Sequence, residues 1–141
     1  MLVSERRFLV EWGDCDPADI VFYPNYMVWF DACMTSLFAA AGLPLQALFV
    51  AHHVVGIPVV DVKVKFFAPS RFGDELRAVS NVAEFGRSSF VLRHQFFKGD
   101  TLVVEGFETR VWTGYGPDGK TGLRSIPLPR EIKDRLSAPA K

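Results

Sequence analysis

Apolar residues recur at a helical spacing in the first half of the chain and at a spacing of two in the second half. Over residues 25–41 the apolar positions lie three or four residues apart, as on one face of an α-helix. They are Tyr26, Phe30, Cys33, Leu37 and Ala41. Pro24 suits the first turn because it has no N–H to leave unpaired, Gly42 is typical of a helix end, and Pro44 cannot continue the helix. We predict one long helix here and a short second helix over residues 44–51.

Alternation of apolar and polar residues predicts strands on both sides of this helix. The first strand is predicted over residues 6–12, where Phe8, Val10 and Trp12 alternate with their neighbours. After Gly56 the alternation is sustained, beginning with a strand whose apolar side chains share one face. The members of that face are Val60, Val62, Val64 and Phe66. Three more strands are predicted over residues 75–85, 88–98 and 101–113.

Short connections that each contain a glycine separate these later strands. Gly73, Gly86 and Gly99 lie between successive strands, and connections this short join antiparallel hairpins. We therefore predict that the strands after the helix form an antiparallel meander. The remaining predicted segments are a glycine-rich loop over residues 115–122, an extended piece over 123–127 and a final helical turn or two over 130–136.

One strand, one long helix and four further antiparallel strands make this an α+β chain. The amphipathic helix must bury its apolar face on the sheet. A five-stranded antiparallel sheet wrapped around one long helix is the hot-dog fold. Residues 1–136 are predicted to form a single domain, followed by a short tail over residues 137–141. Because such a sheet leaves an edge and a face uncovered, we expect at least a homodimer.

Composition and charge narrow the possible functions. Of the 141 residues, 49% are apolar and 23% are charged, which is typical of a soluble globular protein. The 16 basic and 16 acidic residues give no net charge, so no general basic field favours nucleic acid. The 13 Phe residues favour either oligomerisation or an apolar ligand tunnel.

No membrane or secretory segment is predicted. The apolar stretch over residues 37–51 is interrupted by a glycine, a proline and a glutamine, and residues 1–7 lead into charge rather than into an apolar segment. Cys15 and Cys33 have neither a metal-binding nor a redox-active spacing. The expected location is therefore the reducing cytoplasm.

Asp16 is the main candidate for chemistry. It lies in a polar loop over residues 13–19, after the first strand and just before the long helix. The start of a helix offers unpaired N–H groups and a partial positive charge, so a carboxylate and an oxyanion donor are expected close together. The alternative interpretation is that Asp16 forms an Asx turn ahead of Pro17. The residues alone favour this alternative.

Other candidate groups fit a catalytic role less well. Asp14, Asp16 and Asp19 do not have the spacing of a calcium loop, so no metal site is predicted. Cys15 has no neighbouring base in the sequence. His94 lies in a strand on the same face as several apolar residues, which favours a core histidine. The chain contains no Gly-x-Ser-x-Gly nucleophile elbow.

The residues around the helix start resemble a known family. Residues 13–18 read GDCDPA and residues 23–26 read YPNY. Matches continue in order with WFDA, GLP, VGIPVV and RSSFVLRH, and more weakly with LRSI at residues 123–126. Together these motifs are similar to the 4-hydroxybenzoyl-CoA thioesterase family of hot-dog enzymes, and they cover most of the chain.

The resemblance implies hydrolysis of an aromatic acyl-CoA, of the hydroxybenzoyl or benzoyl type, to the free acid and CoA. It implies that the Asp16 carboxylate is the nucleophile or general base and that the backbone N–H of Tyr23 polarises the thioester carbonyl. Arg87 and Arg124 match positions that contact the CoA nucleotide phosphates, in sites shared between subunits of a homotetramer. Asp31 matches a position near the far end of the acyl group. No cofactor is implied, since CoA is part of the substrate.

Three positions bear on which branch of the family this chain follows. Asp19 stands where the family usually has Gly, and Ser88 replaces a basic residue, which leaves fewer cations for the phosphates. Pro24 stands where the related Tol-Pal-associated thioesterases have His, which favours the hydroxybenzoyl branch.

Alternative functions remain open on the residues. A hot-dog hydratase or dehydratase would use a His with an acidic helix residue, but no comparable His lies near the helix start. A non-catalytic acyl-CoA-binding module would keep Arg87 and Arg124 without needing Asp16. The third alternative is a thioesterase for fatty or short- to medium-chain acyl groups, since the many apolar side chains would also accommodate such groups.

Overall fold

A long helix lies against one antiparallel sheet in the computed structural model, which describes residues 1–116 and 122–139. In chain order the elements are β1 (Ser4–Leu9), a 3₁₀ turn (Trp12–Asp14), α1 (Pro24–Ala40), α2 (Leu45–Ala51), β2 (Val59–Phe66), β3 (Glu75–Phe85), β4 (Ser89–Lys98), β5 (Thr101–Val111), β6 (Thr113–Tyr115), β7 (Leu123–Ser125) and α3 (Arg130–Ser137). Of the predicted glycine-rich loop, residues 117–121 lie outside the described residues, as do the last two residues of the tail.

The sheet has five strands in the order β1-β3-β4-β5-β2, and β6 pairs with β7 separately. Each pairing in the five-stranded sheet is antiparallel. The predicted hot-dog fold is therefore confirmed. The helix predictions are also correct to within one residue at each end, because proline and glycine mark those ends in the sequence.

The predicted meander is wrong for its first strand. β2 pairs with β5, for example Val62 with Glu108, and lies at the opposite edge of the sheet from β1. β1 takes the predicted place of β2 beside β3, with Phe8 opposite Leu76. The connection over residues 67–74 is long enough to cross to another strand, whereas only the tight turns at Gly86 and Gly99 join hairpins.

The first strand also ends earlier than the alternation predicts. β1 stops at Leu9, and Trp12 lies in the 3₁₀ turn with its side chain exposed. The reason is a capping box, in which the Glu11 N–H donates to Asp14 Oδ2 at 2.8 Å and turns the chain out of the sheet.

Strand β2 has exposed apolar side chains where the alternation predicts a buried face. Val60 is 62% exposed and Val62 is 42% exposed. Because β2 is an edge strand, this chain alone leaves both its backbone edge and these side chains without cover.

α1 is held on the sheet by an aromatic ring that lies directly on a strand backbone. Phe30 is fully buried and stacks on His94 of β4, with ring centroids 4.8 Å apart and planes at 15°. A Cβ atom at Gly106 of β5 would overlap the Phe30 ring. Gly106 therefore creates the space that the helix occupies, which fixes the height of α1 above the sheet.

No single helix in the described part of the chain is long and apolar enough to cross a membrane. Helices α1 and α2 meet the length and composition criteria only together, as a pair bent by 70°.

We predict that Gly106→Ala destabilises the fold by about 2–3 kcal/mol, because the new methyl group must displace Phe30. Gly56→Ala is the control, since a Cβ there meets no atom within 4 Å, and it should stay within about 0.5 kcal/mol of wild type. Urea denaturation measures both. Equal free energies of unfolding for the two variants would show that the packing of Phe30 does not depend on the absence of a side chain at Gly106.

Candidate active site

The loop before α1 folds back on itself and presents Asp16 at its tip. Cys15 forms an antiparallel bridge with Val21, and the Asp16 N–H donates to the Ile20 carbonyl at 2.9 Å. The Phe22 N–H donates to the Asp14 carbonyl at 2.9 Å. These bonds make a small hairpin that fixes Asp16 relative to the helix start.

The Asp16 side chain forms the Asx turn that the sequence offered as the alternative to catalysis. Its Oδ1 accepts the Ala18 N–H at 2.8 Å. Its Oδ2 receives no hydrogen bond from any described residue, and the half-buried carboxylate lines a cavity of about 420 Å³. One oxygen therefore shapes the loop while the other remains available, so the two interpretations of Asp16 are compatible.

Asp19 adopts a left-handed backbone conformation, with φ of 68°. Glycine reaches this conformation most easily, and Asp tolerates it better than most residues. Its N–H donates to the Asp16 carbonyl at 2.9 Å. Asp19 therefore fits this turn and adds a carboxylate to the wall of the Asp16 cavity.

The start of α1 leaves one backbone donor unpaired. Pro24 has no N–H, the Asn25 N–H donates to Phe22 at 2.9 Å, and the Tyr26 N–H donates to Tyr23 at 3.1 Å. The Tyr23 N–H has no acceptor among the described residues. This donor lies at the positive end of a helix dipole and can bind a carbonyl oxygen or an anion.

The Asn25 side chain ties the helix start to the Asp16 loop. Its Nδ2 donates to the Asp14 carbonyl at 2.8 Å, in a half-buried position. Asp16 and Tyr23 thus belong to one hydrogen-bonded unit, but each lines a different cavity. Tyr23 lines a largely apolar cavity of about 430 Å³, together with Ile20, Val21, Tyr26 and residues 66–70.

Arg87 and Arg124 both lie toward the opposite end of the sheet from Asp16. The Arg87 carbonyl accepts the Leu128 N–H at 2.9 Å, and Arg124 lies opposite Gly114 in the β6–β7 pair. Both arginines are exposed. Strand β3 runs from the Asp16 end to the Arg87 end over 11 residues, which is on the order of 35 Å. A single chain therefore does not bring the two arginines to Asp16.

Asp31 is the outer end of a polar network that the sequence did not reveal. Its Oδ1 accepts a hydrogen bond from Arg110 Nη2 at 3.1 Å. The Asp31 side chain is 65% exposed, whereas that of Arg110 is only 6% exposed. Arg110 Nη1 also donates to the Ile57 carbonyl at 3.1 Å. Asp31 is thus held in one orientation on the surface of α1 and keeps accessible carboxylate lone pairs.

The network continues inward beneath α1. Arg110 Nη2 donates to Glu108 Oε2 at 3.0 Å, and His94 Nε2 lies 2.8 Å from Glu108 Oε1. His94 Nδ1 lies 2.7 Å from Ser80 Oγ. Burial alone would raise the pKa of Glu108, but the hydrogen bond from His94 and the charge of Arg110 outweigh it and hold that pKa below its usual value. Glu108 is therefore an ionised carboxylate within the core.

No group of three or more His, Cys, Asp or Glu side chains among residues 1–116 and 122–139 is arranged to hold a metal ion. Cys33 is buried, and its burial raises the pKa of the thiol to about 11. A thiolate at this position is therefore unavailable near neutral pH.

Comparison with known proteins gives three related findings. The family model of the thioesterase superfamily matches residues 18–105. A 4-hydroxybenzoyl-CoA thioesterase from Pseudomonas sp. strain CBS-3 is 37% identical over 134 residues, which cover 91% of this chain and 93% of that protein. A 1,4-dihydroxy-2-naphthoyl-CoA hydrolase from Prochlorococcus marinus is 25% identical over 74% of this chain and 71% of that protein.

Solved structures agree with the sequence relatives. A mutant of 4-hydroxybenzoyl-CoA thioesterase, in complex with 4-hydroxybenzoyl-CoA, superposes with a TM-score of 0.85 and 33% identity, covering 96% of this chain and 99% of that one. A gentisyl-coenzyme A thioesterase superposes with a TM-score of 0.80 and 29% identity, covering 96% of this chain and 100% of that one.

We predict that Glu108→Gln lowers the free energy of unfolding by about 3 kcal/mol at pH 7, because it leaves the buried Arg110 and His94 without their carboxylate. Since folding lowers the pKa of Glu108, its contribution is fully present above the ordinary value of 4.5 and is lost as the pH falls through the folded-state value. The variant should therefore lose less stability than wild type from about pH 5 to about pH 3. Parallel pH profiles of chemical denaturation would contradict this account of the network.

Proposed function

The chain belongs to the thioesterase superfamily and hydrolyses acyl-CoA thioesters, and we propose that its substrate is an aromatic acyl-CoA of the hydroxybenzoyl or benzoyl type. The products are then the free acid and CoA. The observation that carries this proposal is the hydrogen-bonded unit formed by the Asp16 loop and the start of α1, which holds both a free carboxylate oxygen and an unpaired N–H. No cofactor is proposed, since CoA is part of the substrate.

Tyr23 is proposed to act on the carbonyl oxygen of the thioester. Its N–H is unpaired among the described residues and lies at the positive end of a helix of 17 residues. A donor fixed in this way stabilises the negative charge that develops on the oxygen as the carbonyl carbon becomes tetrahedral. Because the donor belongs to the backbone, the side chain of Tyr23 is free to line the cavity.

Asp16 is proposed to attack that carbonyl carbon or to activate a water molecule. As a nucleophile, its carboxylate forms an anhydride, the C–S bond breaks and CoA leaves as the thiolate, which takes a proton from water; a second water then hydrolyses the anhydride. As a general base, Asp16 takes the proton of the water that attacks the carbonyl carbon; the C–S bond of the tetrahedral intermediate then breaks, and the CoA thiolate that leaves takes up that proton. The Asx turn supports both routes because it holds the carboxylate in place through Oδ1 and leaves Oδ2 open.

The complete site is proposed to need a second subunit, in a homodimer or a homotetramer. Arg87 and Arg124 are exposed cations at one end of the sheet, and Asp16 lies at the other. The arginines of one subunit would therefore bind the nucleotide phosphates of a CoA ester whose thioester lies at Asp16 of another subunit. Arginine suits this role because its guanidinium pairs with phosphate oxygens in a bidentate manner. The exposed valines of β2 supply an apolar surface for such an assembly.

The aromatic acyl group is proposed on the character of the relatives and of the cavity walls. Three relatives are thioesterases or hydrolases of aromatic acyl-CoA esters by name. Aromatic and aliphatic side chains line the cavity at Tyr23, and a flat ring packs well between such walls. Asp31 is a further candidate to accept a hydrogen bond from a ring hydroxyl, since Arg110 fixes its orientation.

We predict that Asp16→Asn lowers kcat about a hundredfold or more, because the amide is neither a nucleophile nor a base. Thiol release from 4-hydroxybenzoyl-CoA measures the loss. The control is Asp134→Asn on α3, which removes an exposed carboxylate far from the loop and should leave kcat unchanged. A folded Asp16→Asn variant with near-normal turnover would exclude Asp16 from the chemistry.

We also predict a higher kcat/KM for 4-hydroxybenzoyl-CoA and benzoyl-CoA than for palmitoyl-CoA. Asp31→Ala should narrow the preference for the hydroxylated ring, because a polar site discriminates against analogues that lack its partner group. Thiol release from all three esters, with wild type and variant side by side, tests both statements. Faster turnover of palmitoyl-CoA by wild type would overturn the aromatic assignment and leave thioester hydrolysis intact.

A further inference from the structure

Arg110 is a buried cation that connects a carboxylate of the core with a carboxylate on the surface. Its side chain is only 6% exposed. Nη2 donates to Glu108 Oε2 at 3.0 Å and to Asp31 Oδ1 at 3.1 Å, and Nη1 donates to the Ile57 carbonyl at 3.1 Å. The guanidinium thus bridges strand β5 and the outer surface of α1.

The guanidinium of Arg110 is not oriented to satisfy all of its own donors. Its Nε is buried and has no hydrogen-bonding partner among the described residues. A buried donor that is left unpaired lowers the stability of a fold. The orientation of Arg110 is therefore the one that pairs the two carboxylates and the Ile57 carbonyl, although one N–H group stays without an acceptor.

Arg110 is itself held in place from within the sheet. The second oxygen of Glu108, Oε1, lies 2.8 Å from His94 Nε2, and His94 Nδ1 lies 2.7 Å from Ser80 Oγ. These three residues are buried and belong to the neighbouring strands β3, β4 and β5. Because three strands fix this chain of contacts, Arg110 can hold Asp31 without moving itself.

Stability alone does not account for a network of this kind. Buried ion pairs lose their hydration, and apolar side chains of similar volume are often at least as stabilising. The outermost member of the network is different, since the Asp31 side chain is 65% exposed. An exposed carboxylate without a partner samples several rotamers. Pairing with Arg110 selects one of them, which reduces the entropy that is lost when the carboxylate binds a ligand.

Asp31 is within reach of an acyl group whose carbonyl binds the Tyr23 N–H. It lies eight residues beyond Tyr23 in the sequence, from 23 to 31, and the two belong to α1 and its first cap. Eight residues of helix measure about 12 Å. A 4-hydroxybenzoyl group with a hydrogen bond of about 3 Å at each end spans a similar distance. Asp31 Oδ2 receives no hydrogen bond from any described residue, so it is open to a ring hydroxyl.

We propose that Arg110 is a positioning residue for substrate selection, which holds the Asp31 carboxylate where it accepts a hydrogen bond from a hydroxyl on the acyl ring. The proposal rests on the aromatic acyl-CoA activity and on the role of Asp31 proposed above. Arg110 is buried beneath α1 and acts through Asp31. Glu108 and His94 contribute by fixing Arg110.

The preference for the hydroxylated ring tests the proposal. It is measured as the ratio of kcat/KM for 4-hydroxybenzoyl-CoA to that for benzoyl-CoA, so that any effect of a variant on α1 as a whole cancels. The variant combines Glu108→Gln with Arg110→Met, which removes both buried charges together and leaves neither without its partner. We expect the preference to fall about tenfold, the effect of about one hydrogen bond.

Asp31→Ala shows whether Arg110 acts through Asp31. If it does, adding Asp31→Ala to the Glu108→Gln, Arg110→Met variant should change the preference by less than about twofold, because both sets of changes remove the same hydrogen bond. Losses that multiply would mean that Arg110 affects selection by another route and would overturn the proposal.

Arg93→Met is the matched control. Arg93 also pairs with a glutamate across β4 and β5, through bonds of 3.1 and 2.9 Å to Glu105 Oε2. Because neighbouring residues of a strand face opposite sides, Arg93 faces away from α1 while His94 faces it. Arg93→Met should therefore leave the preference unchanged, and a loss like that of the Arg110 variant would overturn the proposal.

Arg110→Lys provides the same measurement if the Glu108→Gln, Arg110→Met variant does not fold. It retains the charge beside Glu108, but a single ammonium group does not reproduce the forked pairing of the guanidinium with two carboxylates. The preference should again fall about tenfold.

The remaining outcomes separate this proposal from those on which it rests. A preference that is lost in Asp31→Ala but unchanged in the Arg110 variants would overturn the positioning role alone. Hydrolysis of both benzoyl esters by wild type without any preference would overturn the role of Asp31, and that of Arg110 with it. Failure of wild type to hydrolyse either ester would overturn the aromatic assignment itself.

Discussion

The Phe30 ring on the backbone of Gly106 is the contact on which the arrangement of the site depends. It fixes the height of α1 above the sheet, and stacking on His94 fixes the position of the helix along β4. The ion pair of Asp31 with Arg110, one residue further along the helix, is a second link between α1 and the sheet. Because these contacts fix α1 on the sheet, they also fix the start of the helix and the unpaired N–H of Tyr23. A buried ionic network near the centre of a small sheet is unusual, because each charge loses its hydration. Here it joins the sheet to the helix that begins beside the unpaired Tyr23 N–H.

The geometry of the Asp16 loop is compatible with both a structural role and the proposed catalytic role for one side chain. An Asx turn and a catalytic carboxylate are rival explanations in the sequence, since a turn-forming Asp needs no further role. In the structure the turn uses one oxygen and leaves the other open. The turn also supports the proposed role, because a carboxylate held by its own loop needs less reorganisation before a reaction. Asp19 extends the argument, since its left-handed backbone is a conformation that Gly adopts most easily and that Asp tolerates.

Local patterns predicted the elements of this fold but not all of their neighbours. The helical spacing and its flanking proline and glycine located α1, and alternation located the strands. The partner of β2 could not be derived in the same way, because Gly73 resembles a hairpin turn although the chain crosses the sheet there.

The polar network could not be predicted from the sequence for a similar reason. His94, Glu108 and Arg110 each fit an alternating strand, and only the register of β4 against β5 brings them together. Asp16 and the start of α1 were predictable as neighbours because only a short loop separates them.

The central claim is that the Tyr23 N–H and Asp16 act together on a thioester whose acyl group lies in the cavity beside α1. The most direct test is a crystal structure of the Asp16→Asn variant with 4-hydroxybenzoyl-CoA bound. The account predicts the thioester oxygen about 2.9 Å from the Tyr23 nitrogen, with the ring in the cavity that Tyr23 lines. It predicts the nucleotide phosphates beside Arg87 and Arg124 of a neighbouring subunit. A thioester carbonyl bound elsewhere, with the Tyr23 N–H still unpaired, would contradict it.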